Sequence, residues 1–422
     1  MSKSLIVNFS NQGVNDNTTA YFGLTGAFSS ALTEANAEMP VRDAGNFSNM
    51  FSYVTTNTLL VDTVVTLRKS AADTALTVTY TSTQTGVKED TSNTVAFANT
   101  DKIVYKIATA NDLSGVKTIT FTSLGLQFDP TTTTDCISFL GTTRNVNVLN
   151  YSNDSTSSYW TPIQAITQMT NTESRSLYKI KDNFISTNLY TYVSSNARTT
   201  DTVFRTRVNG ANGNQSVTYT STQTGIKEDT SNTDSLAIND TFNYAVVTLT
   251  GGGIIAFQVM STRLVNTDGK FIFGIGKVNV PESINFNSTI FFGLSGDLEA
   301  SSTTEADAQV TSRFDFTAKE LVSHVISNTI TTSSSTIVLR VNGADTALSV
   351  TYSASQTGLK NNTVDTVSVV STDEVNYKVT TPNTSGALGL GWVGMIGKTT
   401  TASINIKSPG GGVAYSGGSF MF

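Results

Sequence analysis

A stretch of 17 residues recurs three times along this chain and constrains its fold more than any other feature. It begins at Val78, returns at Val217 with a single change (Ile226 for Val87), and returns at Val350 with eight changes. The starting residues are 139 and then 133 residues apart, which is the length of a whole domain rather than of a solenoid repeat. The sequence therefore predicts three tandem copies of one domain, each long enough to bury its own core. The predicted copies span residues 1–143, 144–283 and 284–422.

Composition and hairpin signals favour an all-β fold. Threonine, which suits the pleated surface of a strand, is abundant, and so are the turn formers asparagine and serine. Short alternating runs such as Leu76–Tyr80 predict seven or eight strands per copy, and Asn209-Gly210 and Asn342-Gly343 predict tight hairpins. Copy one has Ser70-Ala71 at this point, which predicts a longer or different turn. The spacing favours antiparallel β-sandwiches of the jelly-roll type, with an immunoglobulin-type sandwich as the alternative.

Charge and cysteine content exclude several classes of protein. Charged residues make up 14% of the chain and the net charge is −6, without the basic clusters that nucleic-acid binding needs. No apolar run is long enough to span a membrane, and residues 1–9 lack the apolar core of a signal peptide. Cys136 is the single cysteine, so an intrachain disulfide is impossible, and a small buried side chain is expected there.

The second half of the repeat is polar and is predicted to be a loop. Its near identity in copies one and two suggests a shared local requirement, so residues 84–93 form the best candidate contact surface. The candidate contact residues are Gln84, Thr85, Gly86, Lys88, Glu89 and Asp90 in copy one, Gln223, Thr224, Gly225, Lys227, Glu228 and Asp229 in copy two, and Gln356, Thr357, Gly358 and Lys360 in copy three.

Two further positions recur and are interpreted as structural. An aspartate falls 23 residues after the first residue of each repeat and is predicted to cap a turn at the start of a strand. An arginine falls ten residues before each repeat and is predicted to pair with that aspartate across the sheet. These residues are Asp101, Asp240 and Asp373, and Arg68, Arg207 and Arg340.

Signals for catalysis are weak, and the sequence predicts no enzyme and no cofactor. The single histidine, His324, aligns with Tyr53 and Tyr192 and is expected to be structural. The Glu89-Asp90 pair becomes two asparagines in copy three, so a glycosidase pair is not expected, and calcium in these oxygen-rich loops is only a weak alternative. Trp160 and Trp392 suit a sugar-binding surface or, with greater weight, a core.

The order of motifs is similar to that of known viral proteins. A short aromatic strand with glycines opens copies one and three (residues 21–26 and 291–296), and an acidic loop, Arg-Val-Asn-Gly, Val-Thr-Tyr, Gln-Thr-Gly and Asp-x-x-x-Tyr follow. Copy one has Arg-Lys-Ser-Ala in place of Arg-Val-Asn-Gly, and copy two departs at its opening strand. This order resembles jelly-roll domains of phage and virus structural proteins of the head-decoration, head-fibre and tail types. The resemblance implies a non-catalytic, oligomeric protein of the virion, assembled in the host cytoplasm.

The expected partners are further copies of the chain or other virion proteins. Three copies in one chain suggest an imitation of a trimer, an idea that a linear arrangement of domains would contradict. Phe420 and Phe422, after a glycine-rich run, are candidates for a docking tail. The alternatives are a carbohydrate-binding module that recognises a host-surface glycan and a self-assembling surface-filament subunit.

Overall fold

The computed structural model describes residues 3–24, 31–113, 115, 117–131, 136–143, 157–163, 169–277, 281–298 and 301–399. Almost all regular structure in this part of the chain is β-strand. The helical segments described are one α-helical turn, α1 (Glu173–Ser176), and the 3₁₀ turns Glu34–Asn36 and Glu305–Asp307. Among the described residues, no helix has the length and apolar character needed to cross a membrane.

The strands fall into three groups, one for each domain. Domain 1 contains β1 (Ser4–Asn15), β2 (Thr19–Phe22), β3 (Met39–Pro40), β4 (Gly45–Asn57), β5 (Thr63–Lys69), β6 (Ala72–Tyr80), β7 (Gly86–Phe97), β8 (Lys102–Thr109) and β9 (Thr118–Pro130). Domain 2 contains β10 (Cys136–Thr143), β11 (Ser157–Trp160), β12 (Tyr178–Lys179), β13 (Phe184–Asn196), β14 (Thr202–Val208), β15 (Ala211–Tyr219), β16 (Gly225–Leu236), β17 (Thr241–Thr248) and β18 (Ile255–Asn266). Domain 3 contains β19 (Lys270–Gly276), β20 (Glu282–Asn285), β21 (Thr289–Phe292), β22 (Ser295–Asp297), β23 (Val310–Thr311), β24 (Phe316–Asn328), β25 (Ser335–Val341), β26 (Ala344–Tyr352), β27 (Gly358–Val369), β28 (Glu374–Thr380) and β29 (Ala387–Thr399).

Each domain is a sandwich of two antiparallel sheets with the strand order of a jelly roll. In domain 1 one sheet has the order β1-β9-β4-β7 and the other has the order β2-β8-β5-β6. Domain 2 repeats this as β10-β18-β13-β16 and β11-β17-β14-β15, and domain 3 repeats it as β19-β29-β24-β27 and β21-β28-β25-β26. Eight strands folded so that the first pairs with the last are the signature of a double Greek key. The predicted all-β fold of three jelly-roll-like sandwiches is confirmed.

The sheets divide the chain at points other than 143/144 and 283/284. Strand β10, before the first predicted join, pairs along its length with β18 of domain 2. Strand β19, before the second predicted join, pairs with β29 of domain 3. By hydrogen bonding, one domain therefore gives way to the next between β9 and β10 and between β18 and β19. A jelly roll's first strand pairs with its last, more than 100 residues later, so the local motifs of the sequence begin only at the second strand.

The polar half of the repeat is a strand, so its prediction as a loop was wrong. Residues 86–97 form β7, which pairs with β4 and lies at the edge of its sheet. An edge strand has one neighbour and meets solvent on its other side, which allows polar residues at nearly every position. The preceding strand ends in Tyr80, whose buried hydroxyl carries one proton and lies within hydrogen-bond distance of the carbonyl oxygens of Ser52 (2.8 Å) and Gly86 (3.0 Å). Tyr219 and Tyr352 make the equivalent bonds.

The hairpin of copy one was also predicted wrongly. Ser70 and Ala71 both have positive φ, 45° and 68°, close to the 50° and 75° of Asn342 and Gly343. The turn is thus the same two-residue turn, although serine and alanine are strained in this conformation. The side chain of Arg68 donates to the carbonyl oxygen of Ala71, as the equivalent arginines do in the other domains, and this contact helps to hold the turn.

Candidate functional site

The surfaces that join the three domains are the most elaborate feature of the molecule. In the first sheet of each domain, the third strand (β4, β13 or β24) turns one side chain outward, away from its own core. Phe51, Tyr190 and Val322 occupy this position, and each is at most 2% exposed. Phe51 belongs to the apolar cluster of domain 3, Tyr190 to that of domain 1, and Val322 to that of domain 2. Each domain therefore inserts the same position of the same strand into another domain.

A basic residue repeats beside each of these contacts. An equivalent position, three residues before the first residue of β4, β13 and β24, is occupied by Arg42, Lys181 and Arg313. Arg42 pairs with Glu228 of domain 2, Arg313 pairs with Glu89 of domain 1 at 2.8 Å, and Lys181 lies 3.9 Å from Glu320 of domain 3. The guanidinium carbon of Arg313 is 4.6 Å from the centroid of the Phe51 ring, within cation–π range. The apolar anchor and the basic residue thus recur in all three contacts, whereas the acidic partner is equivalent in two of them, Glu89 and Glu228, and is Glu320 of β24 in the third.

The three contacts close into a ring. Domain 1 inserts into domain 3, domain 3 into domain 2, and domain 2 into domain 1. Heterologous contacts of this head-to-tail kind produce a closed ring when the rotation between neighbours returns to the start. The domains of this chain therefore form a closed ring with a pseudo-threefold axis, and they do not form a line.

The orientation of the domains follows from strand β22. Three residue pairs join β22 to β19, and one, Gly296 with Phe9, joins it to β1, all in parallel register. The first strands of domains 1 and 3 therefore run in the same direction, and strand β10 of domain 2 packs against both. The pseudo-threefold rotation relates these first strands to one another. It can keep their directions the same only if the strands run along the pseudo-threefold axis. Equivalent loops of domains 1 and 3 therefore lie on the same face of the ring, and pseudo-threefold equivalence extends this to domain 2.

Only some of the predicted contact residues lie between domains. Glu89 and Glu228 lie in the contacts between domains, where they form ion pairs with Arg313 and Arg42, respectively. The side chain of Gln84 instead accepts a hydrogen bond from the backbone N–H of Thr81, and Gln223 and Gln356 do the same in the other domains. Gly86, Gly225 and Gly358 begin their strands with φ near +90°. The Lys88, Lys227 and Lys360 ammonium groups bind the edge of the neighbouring strand, and the carboxylates of Asp90 and Asp229 do so too. For Thr85, Thr224 and Thr357, no contact between domains is found within the described part of the chain.

The recurring aspartates cap turns, but the recurring arginines do not pair with them. Asp101 accepts a hydrogen bond from the N–H of Ala98 at 2.7 Å, and Asp240 and Asp373 make the same cap. Arg68 instead forms a bidentate pair with Glu34, at 2.6 and 2.9 Å. The equivalent pairs are Arg207–Glu173 and Arg340–Glu305. The partners are the glutamates of the acidic loops, which are distant in sequence, whereas the aspartates pair with a lysine or asparagine of the turn.

The Arg68–Glu34 pair is expected to stabilise domain 1. The change Glu34→Ala leaves the half of the guanidinium that faces the acidic loop without its acceptor, while Asp73 still binds the other side. We expect the free energy of unfolding to fall by about 1–3 kcal/mol, as for a partly buried charged group that loses a partner. Urea unfolding measures this change. Asp62→Ala, at an exposed aspartate that forms no ion pair with any described residue, serves as the control, and an equal loss in both variants would contradict the assignment.

The single histidine lies in the contact between domains 3 and 2. Its ring is 6.1 Å from that of Trp392, which in turn lies 5.0 Å from the ring of Tyr178 in domain 2. Trp392 and Trp160 are both fully buried, so neither forms a sugar-binding surface. Burial lowers the pKa of His324, and a hydrogen bond to the backbone of Arg175 opposes this shift only partly.

Because of His324, the free energy of unfolding is expected to fall in acid. Because its pKa in the folded chain lies below the ordinary value near 6.5, the unfolded chain takes up the proton first as the pH falls. The contribution of His324 is therefore fully present above pH ~6.5 and disappears as the pH falls through the folded pKa. Urea unfolding between pH ~7 and pH ~5 should show a steeper decline for the natural chain than for His324→Gln. Parallel declines would contradict this role.

Two predicted features receive no structural description. Phe420 and Phe422 of the candidate docking tail lie outside the described residues, and for Cys136 only the backbone strand is described. Among the residues that are described, no three His, Cys, Asp or Glu side chains are grouped as metal ligands would be.

The residues that build the ring were missed by sequence reasoning. Phe51 and Tyr190 lie in a run of alternating large residues, and nothing in that pattern shows that their face of the strand meets another domain. A usable signal was present. Arg42, Lys181 and Arg313 recur at a fixed position before that strand, and a basic residue that recurs beside an outward aromatic suggests an interface.

Comparisons with known proteins do not assign the chain to a family. No protein-family model matches the sequence, and no curated protein matches it. The strand order defines the class: a protein of three jelly rolls in one chain. Among solved structures, the chain is similar to one described as the triple jelly roll fold and turret assembly in an archaeal virus. That similarity covers 93% of this chain and 91% of the other, with 11% identity and a TM-score of 0.19.

Proposed function

We propose that this chain is a non-enzymatic structural protein of a virus particle, acting through assembly and surface display. The observation that carries the proposal is the closed ring of three jelly rolls. Three related contacts, each with an apolar anchor and a basic residue at equivalent positions, give one chain the form of a trimer. Such a unit is complementary to a threefold or quasi-threefold position in a shell, because its symmetry matches that of its surroundings.

The partners in this proposal are other copies of the chain and other proteins of the particle. The low charge, 14% of residues, suits extended contact with neutral polar surfaces rather than with nucleic acid. The carbohydrate-binding alternative needs exposed aromatic side chains, but both tryptophans are buried within the molecule. Particle assembly is therefore favoured over glycan recognition.

The test is to look for the chain in particles. Particles purified from a culture of the source organism are analysed by mass spectrometry and are labelled for electron microscopy with an antibody against this chain. We expect the chain to be present in stoichiometric amounts and the label to lie at regular positions on the particle. Absence of the chain from purified particles would overturn the proposal, as would catalytic turnover or a specific signal on a glycan array.

A further inference from the structure

One contact of the ring differs from the other two in its side-chain chemistry. Lys181, the basic residue of the contact between domains 3 and 2, is 4% exposed. Its ammonium nitrogen Nζ donates a hydrogen bond to Oδ1 of Asn239 at 3.2 Å and lies 3.9 Å from Oε2 of Glu320. An amine, an amide and an acid therefore meet in one place, the first two from domain 2 and the third from domain 3.

This set of three residues is specific to the contact between domains 3 and 2. In the other domains the basic position is an arginine, the amide position is a threonine and the acid position is an asparagine. The equivalents of Lys181 are Arg42 and Arg313, those of Asn239 are Thr100 and Thr372, and those of Glu320 are Asn49 and Asn188. Arginine stays protonated in proteins, so the other two contacts contain no amine that can become a nucleophile.

Backbone pairing holds Lys181 beside Asn239. The N–H of Asn239 donates to the carbonyl oxygen of Ile180 at 2.7 Å, and the N–H of Ile180 donates to the carbonyl oxygen of Asp240 at 2.8 Å. Because a C=O bond is about 1.2 Å long, Cγ of Asn239 lies at most about 4.4 Å from Nζ of Lys181. Atoms that are poised to react lie about 3–3.5 Å apart, so a shift of about 1 Å in the long lysine side chain is sufficient.

Glu320 is held in a backbone conformation that glutamate disfavours. Its φ is 56°, at the bulge of β24, and Asn49 and Asn188 have φ values of 52° and 56° at the same position. Asparagine tolerates this left-handed region, whereas glutamate is strained there, and such strain is concentrated at functional sites. In this conformation Oε2 of Glu320 is buried, accepts no hydrogen bond from the described residues and lies towards Nζ of Lys181.

The surroundings favour transfer of a proton from Lys181 to Glu320. Burial lowers the pKa of Lys181, a shift that the charge of Glu320 opposes and that of Lys179 reinforces. Burial raises the pKa of Glu320, a shift that Lys181 and Lys319 oppose and that Asp182 reinforces. Both directions favour a neutral amine beside a neutral carboxylic acid. A neutral, desolvated lysine amine is a nucleophile.

We propose that Lys181 and Asn239 join in an isopeptide bond, with Glu320 transferring the proton. Glu320 takes one proton from the ammonium group, and the lone pair of Nζ then attacks Cγ of Asn239. The bond from Cγ to Nδ2 breaks while Glu320 returns its proton to the leaving nitrogen. One of the three ammonium protons stays on the new amide and two leave with Nδ2 as an ammonium ion, so the reaction needs no oxidant and no other reactant.

The reaction is coupled to closure of the ring. The amine and the amide belong to domain 2, but Glu320 belongs to domain 3 and reaches Lys181 only when the two domains are in contact. The bond joins residues 58 positions apart, so it restricts the unfolded chain as a disulfide would. Asn239 is exposed, which gives the ammonium ion a path to solvent. The bond forms once in each chain without turnover, so this inference goes beyond the proposed structural role and does not depend on it.

Mass spectrometry of the purified full-length chain tests this proposal. After incubation at neutral pH, we expect the intact mass to fall by one ammonia, trypsin to stop cleaving after Lys181, and a crosslinked peptide to join Lys181 to Asn239. Glu320→Asn introduces the residue that the other domains carry at the same φ, so it should fold, and it should keep the full mass and the cleavage site. Lys179→Arg serves as the matched control and should lose ammonia as the natural chain does.

Isoelectric focusing excludes the other reaction by which an asparagine loses ammonia. The isopeptide bond removes the positive charge of Lys181, whereas a succinimide formed within the backbone removes no charge.

Two results would overturn the proposal: a natural chain that trypsin still cleaves after Lys181, and a crosslink that forms equally fast in Glu320→Asn. Circular dichroism establishes that this variant is folded, and Glu320→Gln, which keeps the size of the side chain, provides a second measurement. The outcome is separable from that of the particle experiment, because absence from particles overturns the proposed function and leaves a crosslink in the purified chain standing.

Discussion

Replacing Phe51 with alanine is expected to lower the free energy of unfolding by about 3–5 kcal/mol, the usual cost of removing a buried aromatic ring. The ring fills the contact between domains 1 and 3, where it packs with the core of domain 3 under the guanidinium of Arg313. It also covers Gly125 on the adjacent strand, where an added Cβ would lie 2.2 Å from the ring. The alanine variant therefore leaves a cavity and removes the cation–π contact. Urea unfolding measures the loss.

A matched control separates the interface from a general effect of losing phenylalanine. Phe286 is 47% exposed, so Phe286→Ala should change stability far less. Hydrogen exchange should become faster around Arg313 in Phe51→Ala, because the contact between the domains is weakened before either core unfolds. Equal losses in the two variants, or unchanged exchange at Arg313, would show that Phe51 does not hold the ring together.

Strongly alkaline solution is expected to unfold the chain, because eight tyrosines in the described part of the chain are buried. Burial raises the pKa of every one of them, and for Tyr219 and Tyr352 the pKa rises to about 12. The others are Tyr80, Tyr105, Tyr178, Tyr190, Tyr244 and Tyr377.

The sign of the effect follows from these directions. Because the folded pKa values are above the unfolded value near 10, the stabilisation is complete below pH 10 and is lost as the pH rises towards the folded values. At pH ~11 ionisation favours the unfolded chain at each buried tyrosine, and the losses add up to the order of 10 kcal/mol. That sum is comparable with the whole stability of a typical domain. Tyrosinate absorbance and circular dichroism should therefore change together between about pH 10 and pH 12.

Tyr105 offers a sharp control for this prediction. Its hydroxyl is buried and, among the described residues, finds no hydrogen-bond partner. Tyr105→Phe should therefore leave stability at neutral pH unchanged or slightly raised, and it should move the alkaline transition to higher pH. Tyr80→Phe should instead destabilise the chain at neutral pH, because it removes the hydroxyl that binds Ser52 and Gly86. Alkaline transitions that coincide in both variants and the natural chain would contradict the assignment.

Much of the fold was predictable because jelly-roll domains carry local signals. Alternation around Tyr80 and the Asn-Gly turns predicted strands and hairpins, and the spacing of the repeat predicted three copies. Predictions failed where a property depended on a neighbour. The polar residues after Gly86 resemble a loop in sequence, but pairing with β4 makes them a strand. Ser70-Ala71 forms a tight turn against its local preference because Arg68 and the paired strands hold it.

The candidate site was likewise predictable only in part. Glu89 and Glu228 were singled out because they recur, and they do contact other domains, but the reason proposed for the repeat was incomplete. Most of its residues are held alike by the edge of their own sandwich, as Lys88 and Asp90 show. The pairing of Arg68 with Glu34, 34 residues away, could not be distinguished from pairing with Asp101 by spacing, because both lie on loops beside the same strand.

The sequence by itself determined that this protein consists of three related all-β domains, because strand alternation and turn chemistry act between near neighbours and repeat with each copy. Only the tertiary structure decided that the domains close into a ring. The two faces of a strand can carry similar patterns of large side chains. Which face meets another domain depends on contacts between residues hundreds of positions apart, such as Phe51 and Arg313.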